Sequence, residues 1–484
     1  MDVSTLTTWA GATDYDLARQ VLQRGVAAVY AIAFLSTLAQ FPALLGEHGL
    51  LPVPRYMRLR YAQQQPIVWR WIPYTDRRLR MLAGAGVVLA LSVVAGLPQL
   101  GPAWVPAVVF LLMWLGYMSI VDVGQTFYGF GWESLLLEAG FTVAFLGSDD
   151  VAPSVIVLFA IRWLVFRLEF GAGMIKMRGD ASWRDLTALY YHHETQPMPN
   201  PMSRTAHLLP KPVHRFETLG SHVVQLVVPF FLFAPQPVAS IAAALVVITQ
   251  LWLVVSGNFA WLNVLTMLLA FAAIDDRAFG AVIPAVDAAA GPTATPVWFV
   301  VLTVLVGLLL LWLSWPPAKN LVSKRQLMNA SFNRWHLVNA YGAFGSVTQQ
   351  RSEVIVEGTE AEVPQEGDWV PYEFKGKPGD PRRRPRQFAP YHLRLDWLMW
   401  FLALGADDGW FRVFVVRLLE ADRPTLRLLR VDPFDGRRPR WLRARMFLYR
   451  FATREERRAT GLYWVRQEQF TLVRPTGMAP QRER

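Results

Sequence analysis

Three ionisable side chains stand seven residues apart inside one otherwise apolar run: Arg162, Glu169 and Lys176, in the segment from Arg162 to Asp180. At about 100° per residue they share a helical face to within about 40°, while Arg167 points elsewhere. A charge at the centre of a membrane span costs about 3 kcal/mol or more, so such groups face a protein interior or a water-filled cavity. Gly171 and Gly173 remove bulk beside them and permit close approach of another helix or a ligand. Two readings stand side by side. One is a polar cavity centred on Glu169 or Lys176, where a buried lysine of lowered pKa can act as a base. The other is a structural ion-pair ladder joined by Glu133 or Glu138. No catalytic residue is assigned outright, and Lys176 and Glu169 are the alternative candidates.

The chain then runs through Asp180, Trp183 and Arg184 to Tyr190, His192, His193, Glu194 and Gln196, ending in Pro197-Met198-Pro199-Asn200-Pro201. Polar heads beside aromatic bodies suit a membrane interface, where one side is wet and the other apolar. This loop, with Arg162, Glu169 and Lys176, is the expected functional surface. Adjacent His192, His193 and Glu194 invite a metal, but neighbours on a helix cannot all face one ion and no other ligand spacing accompanies them, so no metal is expected. No cofactor is expected either. The glycine-rich Gly124–Glu133 stretch lacks the preceding strand and the lysine of a phosphate loop. No serine stands in a nucleophile elbow.

These residues must be positioned by membrane helices. The chain has 484 residues, 53% of them hydrophobic and only 18% charged, against about a quarter charged in soluble proteins. Candidate spans are 26–45, 82–97, 104–121, 134–146, 155–174, 219–233, 238–255, 259–274 and 297–315. Each approaches the roughly 20 residues that cross a bilayer. The fourth is short and carries Glu133 and Glu138 at its start, so the count is eight or nine. Beyond Trp315-Pro316-Pro317 the character turns polar. Expected strands at 353–357, 410–416, 444–451 and 462–473, with one helix at 393–404, make a mainly β domain. The expected fold is therefore an all-α polytopic membrane bundle, residues 1–318, followed by a mainly β C-terminal soluble domain, residues 319–484. The net charge of +11 belongs to arginines that flank spans, as lipid headgroups favour, and no nucleic-acid motif organises them. The seven arginines from Arg55 to Arg80 mark a cytoplasmic loop. There is no cysteine, hence no disulfide or thiolate site. The polar, acidic start of the chain lacks a signal-peptide pattern.

Several stretches resemble one family. Glu133 to Phe141, Phe166 to Asp185, Tyr191 to Pro201, Tyr341 to Ser352, Tyr372 to Arg384 and His392 to Phe401 look like the lipase maturation factors, in order, over about residues 20–475. The resemblance implies a membrane-embedded folding and assembly factor, a chaperone whose partners are an exported client protein, a lipase in eukaryotic members, and membrane lipids. It implies the endoplasmic reticulum membrane in a eukaryote, the cell membrane in a bacterium, and a C-terminal domain outside the cytoplasm. The bundle is also remotely similar to that of the vitamin K-dependent carboxylase, which implies an enzyme as the alternative.

Overall fold

The computed structural model describes residues 10–59, 64–282, 295–406 and 409–478. The first nine residues of the polar N-terminal segment, and Arg60 of the basic loop, lie outside them. The bundle is built from α1 (Asp16–Leu45), α2 (Asp76–Val94), α3 (Trp104–Val121), α4 (Gly131–Val143), α5 (Val155–Arg178), α6 (Ala181–Arg184), α7 (Leu189–Thr195), α8 (Lys211–Leu226), α9 (Val238–Ser256), α10 (Leu262–Ala270) and α11 (Val297–Leu313), with short helical turns between. Four helices among the described residues are long and apolar enough to cross a membrane: α1, α3, α9 and the continuous stretch Val297–Val322 that begins with α11. The remaining expected spans differ for visible reasons. Asp76, Arg77, Arg78 and Arg80 open α2, and α5 carries five charges. In the region expected to span 219–233, α8 stops at Leu226 before a separate turn containing Pro229.

Close helix packing depends on small residues. A methyl group at Gly86 of α2 would collide with the Phe34 ring of α1, and one at Gly140 of α4 with Tyr30. Removing side-chain bulk there lets the backbones approach. α4 is the innermost helix. It packs against α1, α3, α5 and α10, and every residue except Ser134 is buried. Its two carboxylates are therefore not at an interface with water. Each has an arginine of its own.

The C-terminal region holds a four-stranded antiparallel sheet of β1 (Arg351–Thr359), β2 (Val370–Pro371), β3 (Trp441–Phe451) and β4 (Trp464–Gly477), in the order β2-β1-β3-β4. Among the described residues, helices α12 (Arg394–Ala403), α13 (Gly409–Leu419) and α14 (Arg454–Thr460) accompany it, with a short helical turn at Arg423–Leu426. The sequence expectation of a strand at 410–416 is corrected. That stretch is α13, because Trp410, Phe411, Phe414, Val415 and Leu418 recur at helical spacing and all are buried, whereas a strand would alternate. The domain is thus mixed helix and sheet, less β-rich than expected. One hydrophobic core runs from the bundle into this region, joining Phe130 and Trp132 to Trp397, Phe414 and Leu442.

Candidate functional site

A cavity of about 790 Å³ lies where α5, α8, α9 and α10 meet, closed by residues 341–346 and by Trp397, Trp400 and Phe401 of α12. Helix periodicity turns polar side chains inward, and of those on α8 that follow, Gln225 lines the cavity. On α8, His214, Thr218, His222 and Gln225 are buried on one face, while Phe216, Leu219 and Val223 are exposed on the other. Polar side in and apolar side out is the arrangement of a helix facing hydrocarbon. Lys176 donates to Gln225 Oε1 at 2.9 Å and to Ser221 Oγ at 3.5 Å, and its ammonium sits 4.4 Å from the Trp183 ring centre. Glu169 accepts from Gln250 Nε2 at 2.6 Å, and Gln250 Oε1 accepts from Asn263 Nδ2 at 2.6 Å. Two charges thus stand in an apolar chamber, each held by a neutral amide.

The ladder reading is corrected. Arg162 shares the helical face but donates to the Ala272 carbonyl at 2.9 Å and lies over Tyr15 and Phe159, away from Glu169. Glu138 pairs with Arg167, and also accepts from Asn339 N, Asn339 Nδ2 and Tyr341 Oη at 2.8–2.9 Å. Glu133 pairs with Arg394, whose guanidinium donates at 2.6 Å and stacks 3.3 Å over Tyr128. Gly171 takes the Tyr341 backbone against it and Gly173 takes Leu226 of α8. These glycines therefore admit chain segments of the protein itself.

Residues 180–201 are largely interior, clasped between bundle and sheet. Asp180 caps α6, accepting from Ser182 N at 2.9 Å, and also accepts from Val347 N at 3.3 Å. Trp183 lines the cavity and donates to the Phe344 carbonyl at 2.8 Å. His192 lines it too, stacked on Phe259. Arg184 is exposed and donates back to the Met177 and Gly179 carbonyls. Tyr190 packs on His214 and lies under Lys211. Glu194 accepts from Phe451 N of β3 at 2.7 Å. The Gln196 amide donates to Ser203 and the Ser256 carbonyl, while Arg351 of β1 grips the Glu194, Gln196 and Pro197 carbonyls. Of the expected surface, Glu169, Lys176, Trp183 and His192 meet at one cavity, and Arg162, Asp180, Arg184, Tyr190, Glu194 and Gln196 do not line it.

Sequence reasoning missed Gln225, Gln250 and Asn263, which tie the two charges, and the aromatic wall of α12. The signal for the first was polar residues at helical spacing inside apolar segments. It also missed that His193 meets His214 and Glu217 of α8. The spacing His-x-x-Glu on one helix face was present in the sequence.

His392 supplies a pH test of this packing. Burial, with Arg394 beside it, pushes its imidazole down to about 4. It is neutral when folded, whereas the unfolded chain takes a proton below about pH 6.5. Stability is therefore complete above about pH 6.5 and falls as the pH drops toward 4. Thermal unfolding in detergent should shift down by several degrees between pH ~7 and ~5, and His392→Asn should flatten that slope.

Comparison with known proteins agrees across both regions. The family model for the lipase maturation factor transmembrane domain matches residues 17–281, and that for the lipase maturation factor C-terminal domain matches residues 337–473. Lipase maturation factor 1 of Bos taurus is 40% identical over 500 residues, covering 93% of this chain and 87% of that protein. Lipase maturation factor 1 of Homo sapiens is 41% identical, covering 93% and 86%. Lipase maturation factor 2 of Gallus gallus is 28% identical, covering 95% and 81%. No solved structure matches. With both regions matched in order and apolar spans in the bundle, this membrane protein belongs to the lipase maturation factor family.

Proposed function

We propose that the chain is a membrane-embedded maturation factor that folds or assembles an exported client protein, and that the client is a lipase. The observation that carries this is the extent of the match: about 40% identity to proteins named lipase maturation factor 1, over nine-tenths of this chain and more than four-fifths of each of them. We place it in the endoplasmic reticulum membrane in a eukaryote and the cell membrane in a bacterium, with eight or nine crossings. The shorter or charged helices α2, α4, α5, α8 and α10 complete the count, since their charges are inward-facing or terminal. Residues 1–318 form the membrane part and 319–484 the soluble part, outside the cytoplasm. Family resemblance supports that side; with the basic loop from Arg55 to Arg80 cytoplasmic, it corresponds to eight crossings, whereas nine would put residues 319–484 in the cytoplasm.

The cavity is the working surface in this reading. Its wall is mostly aromatic and aliphatic, and the exposed Phe216 and Ile248 stand at its edge on α8 and α9. Such a chamber accepts an apolar segment of a client, with Glu169 and Lys176 meeting its polar end. A photo-crosslinking residue placed at Ala172, on the cavity wall, should capture a co-expressed lipase during export. Capture from the exposed β4 edge alone would move the client surface to the sheet. Capture from neither position would remove direct client contact.

A further inference from the structure

We propose that His193, His214 and Glu217 bind a divalent cation of the zinc class, pinning α7 to α8 at the edge of the cavity. Their ligand atoms all lie within 4.8 Å of one another. His193 Nε2 is 3.6 Å from Glu217 Oε1, and His214 Nδ1 is 3.9 Å from Glu217 Oε2. Tetrahedral zinc, with bonds of about 2.05 Å, holds its ligand atoms about 3.4 Å apart. The two carboxylate–imidazole spacings need only a small contraction, and the group as a whole closes in from within 4.8 Å.

The surroundings prepare these groups as ligands. His193 is 1% exposed, yet neither ring nitrogen has a hydrogen-bond partner. A buried polar atom without a partner is costly and calls for an explanation. His214 Nε2 lies 3.2 Å from the His207 carbonyl. A carbonyl only accepts, so the proton sits on Nε2 and Nδ1 turns its lone pair toward Glu217. Nδ1 has no other partner. This backbone-anchored imidazole is how ligating histidines are oriented. Trp252 Nε1 donates to Glu217 Oε1, fixing the carboxylate. Among the described residues Glu217 has no lysine or arginine beside it, only the two histidines. Two imidazoles and one carboxylate suit zinc or a neighbouring transition metal rather than magnesium or calcium.

Three protein ligands leave one position for water or for a group entering the cavity, which His193 and Glu217 line. Because the chain has no cysteine, a metal bound elsewhere through thiolate cannot confuse the measurement.

The test uses the full chain, without a histidine tag, purified in detergent and titrated with cobalt(II). We expect about one equivalent to bind with the visible absorption of four-coordinate cobalt, and zinc to displace it. Glu217→Gln, which preserves shape and the Trp252 hydrogen bond, should weaken binding by about tenfold or more. X-ray absorption of the cobalt-loaded wild type counts imidazole ligands without any variant, and two are expected. No saturable binding, binding that Glu217→Gln leaves unchanged, or a site without two imidazoles would overturn the proposal. None of these readouts involves client maturation, so they stand apart from that function.

Discussion

Replacing Arg394 by alanine will strip most folded protein from the membrane. The guanidinium is fully buried, donating at 2.6 Å to Glu133 and at 2.9 Å to the Phe127 carbonyl. Glu133, equally buried, also accepts from Tyr117. Removing one partner of such a pair leaves an uncompensated charge and costs roughly 3–5 kcal/mol, a large part of a total stability of about 5–15 kcal/mol. Arg394 belongs to α12 and Glu133 to α4, so the lost pair also loosens the C-terminal region from the bundle. Arg394→Lys should rescue poorly, since it cannot supply the planar fork or the Tyr128 stack. The double change Glu133→Gln with Arg394→Met should recover part of the yield. Fluorescence-detected gel filtration reads these outcomes. An alanine variant with wild-type yield and melting temperature would show that the pair is dispensable.

The second large effect is expected at Glu138. Its carboxylate holds Arg167 of α5 and three donors from Asn339 and Tyr341, so it fastens the strap that closes the cavity. Glu138→Ala leaves buried Arg167 without its carboxylate partner and should again cost about 3–5 kcal/mol. Proteolysis should then cut near residues 339–346, which the intact protein protects. Glu138→Gln, keeping one acceptor oxygen in the same place, should be milder. Protection that survives Glu138→Ala would mean the strap is held elsewhere.

Much of the site was readable because charge inside an apolar run is costly and therefore informative. Glu169 and Lys176 stand out on that ground, and periodicity places them on one face. Their partners, and those of the other buried charges, are not legible locally. Arg394 lies 261 residues from Glu133, and Asn339 lies 201 from Glu138, separations at which no local pattern reports a contact. The ladder failed for the same reason: shared helical phase brings Arg162 near Ala272, an acceptor from a different helix. The strand misread at 410–416 has another cause. Short runs of Val and Phe satisfy both periods, and only the extension to Leu418 reveals the helix. The His193 cluster escaped notice because adjacency drew attention to His192 and Glu194, while the useful partners sat together on α8.

The proposed maturation of an exported lipase by this chain is met directly by one measurement. A dimeric secreted lipase is expressed in cells lacking their own maturation factor, with and without this chain, and activity per mass of secreted lipase is measured. The chain should raise that specific activity by about tenfold or more over the empty control, a transfer of well over 1 kcal/mol in the folded-to-misfolded balance. Ala172→Trp, which thrusts a bulky ring into the cavity, should accumulate normally and give no rise. A folded, correctly localised wild-type chain that leaves the lipase at background activity would contradict that function.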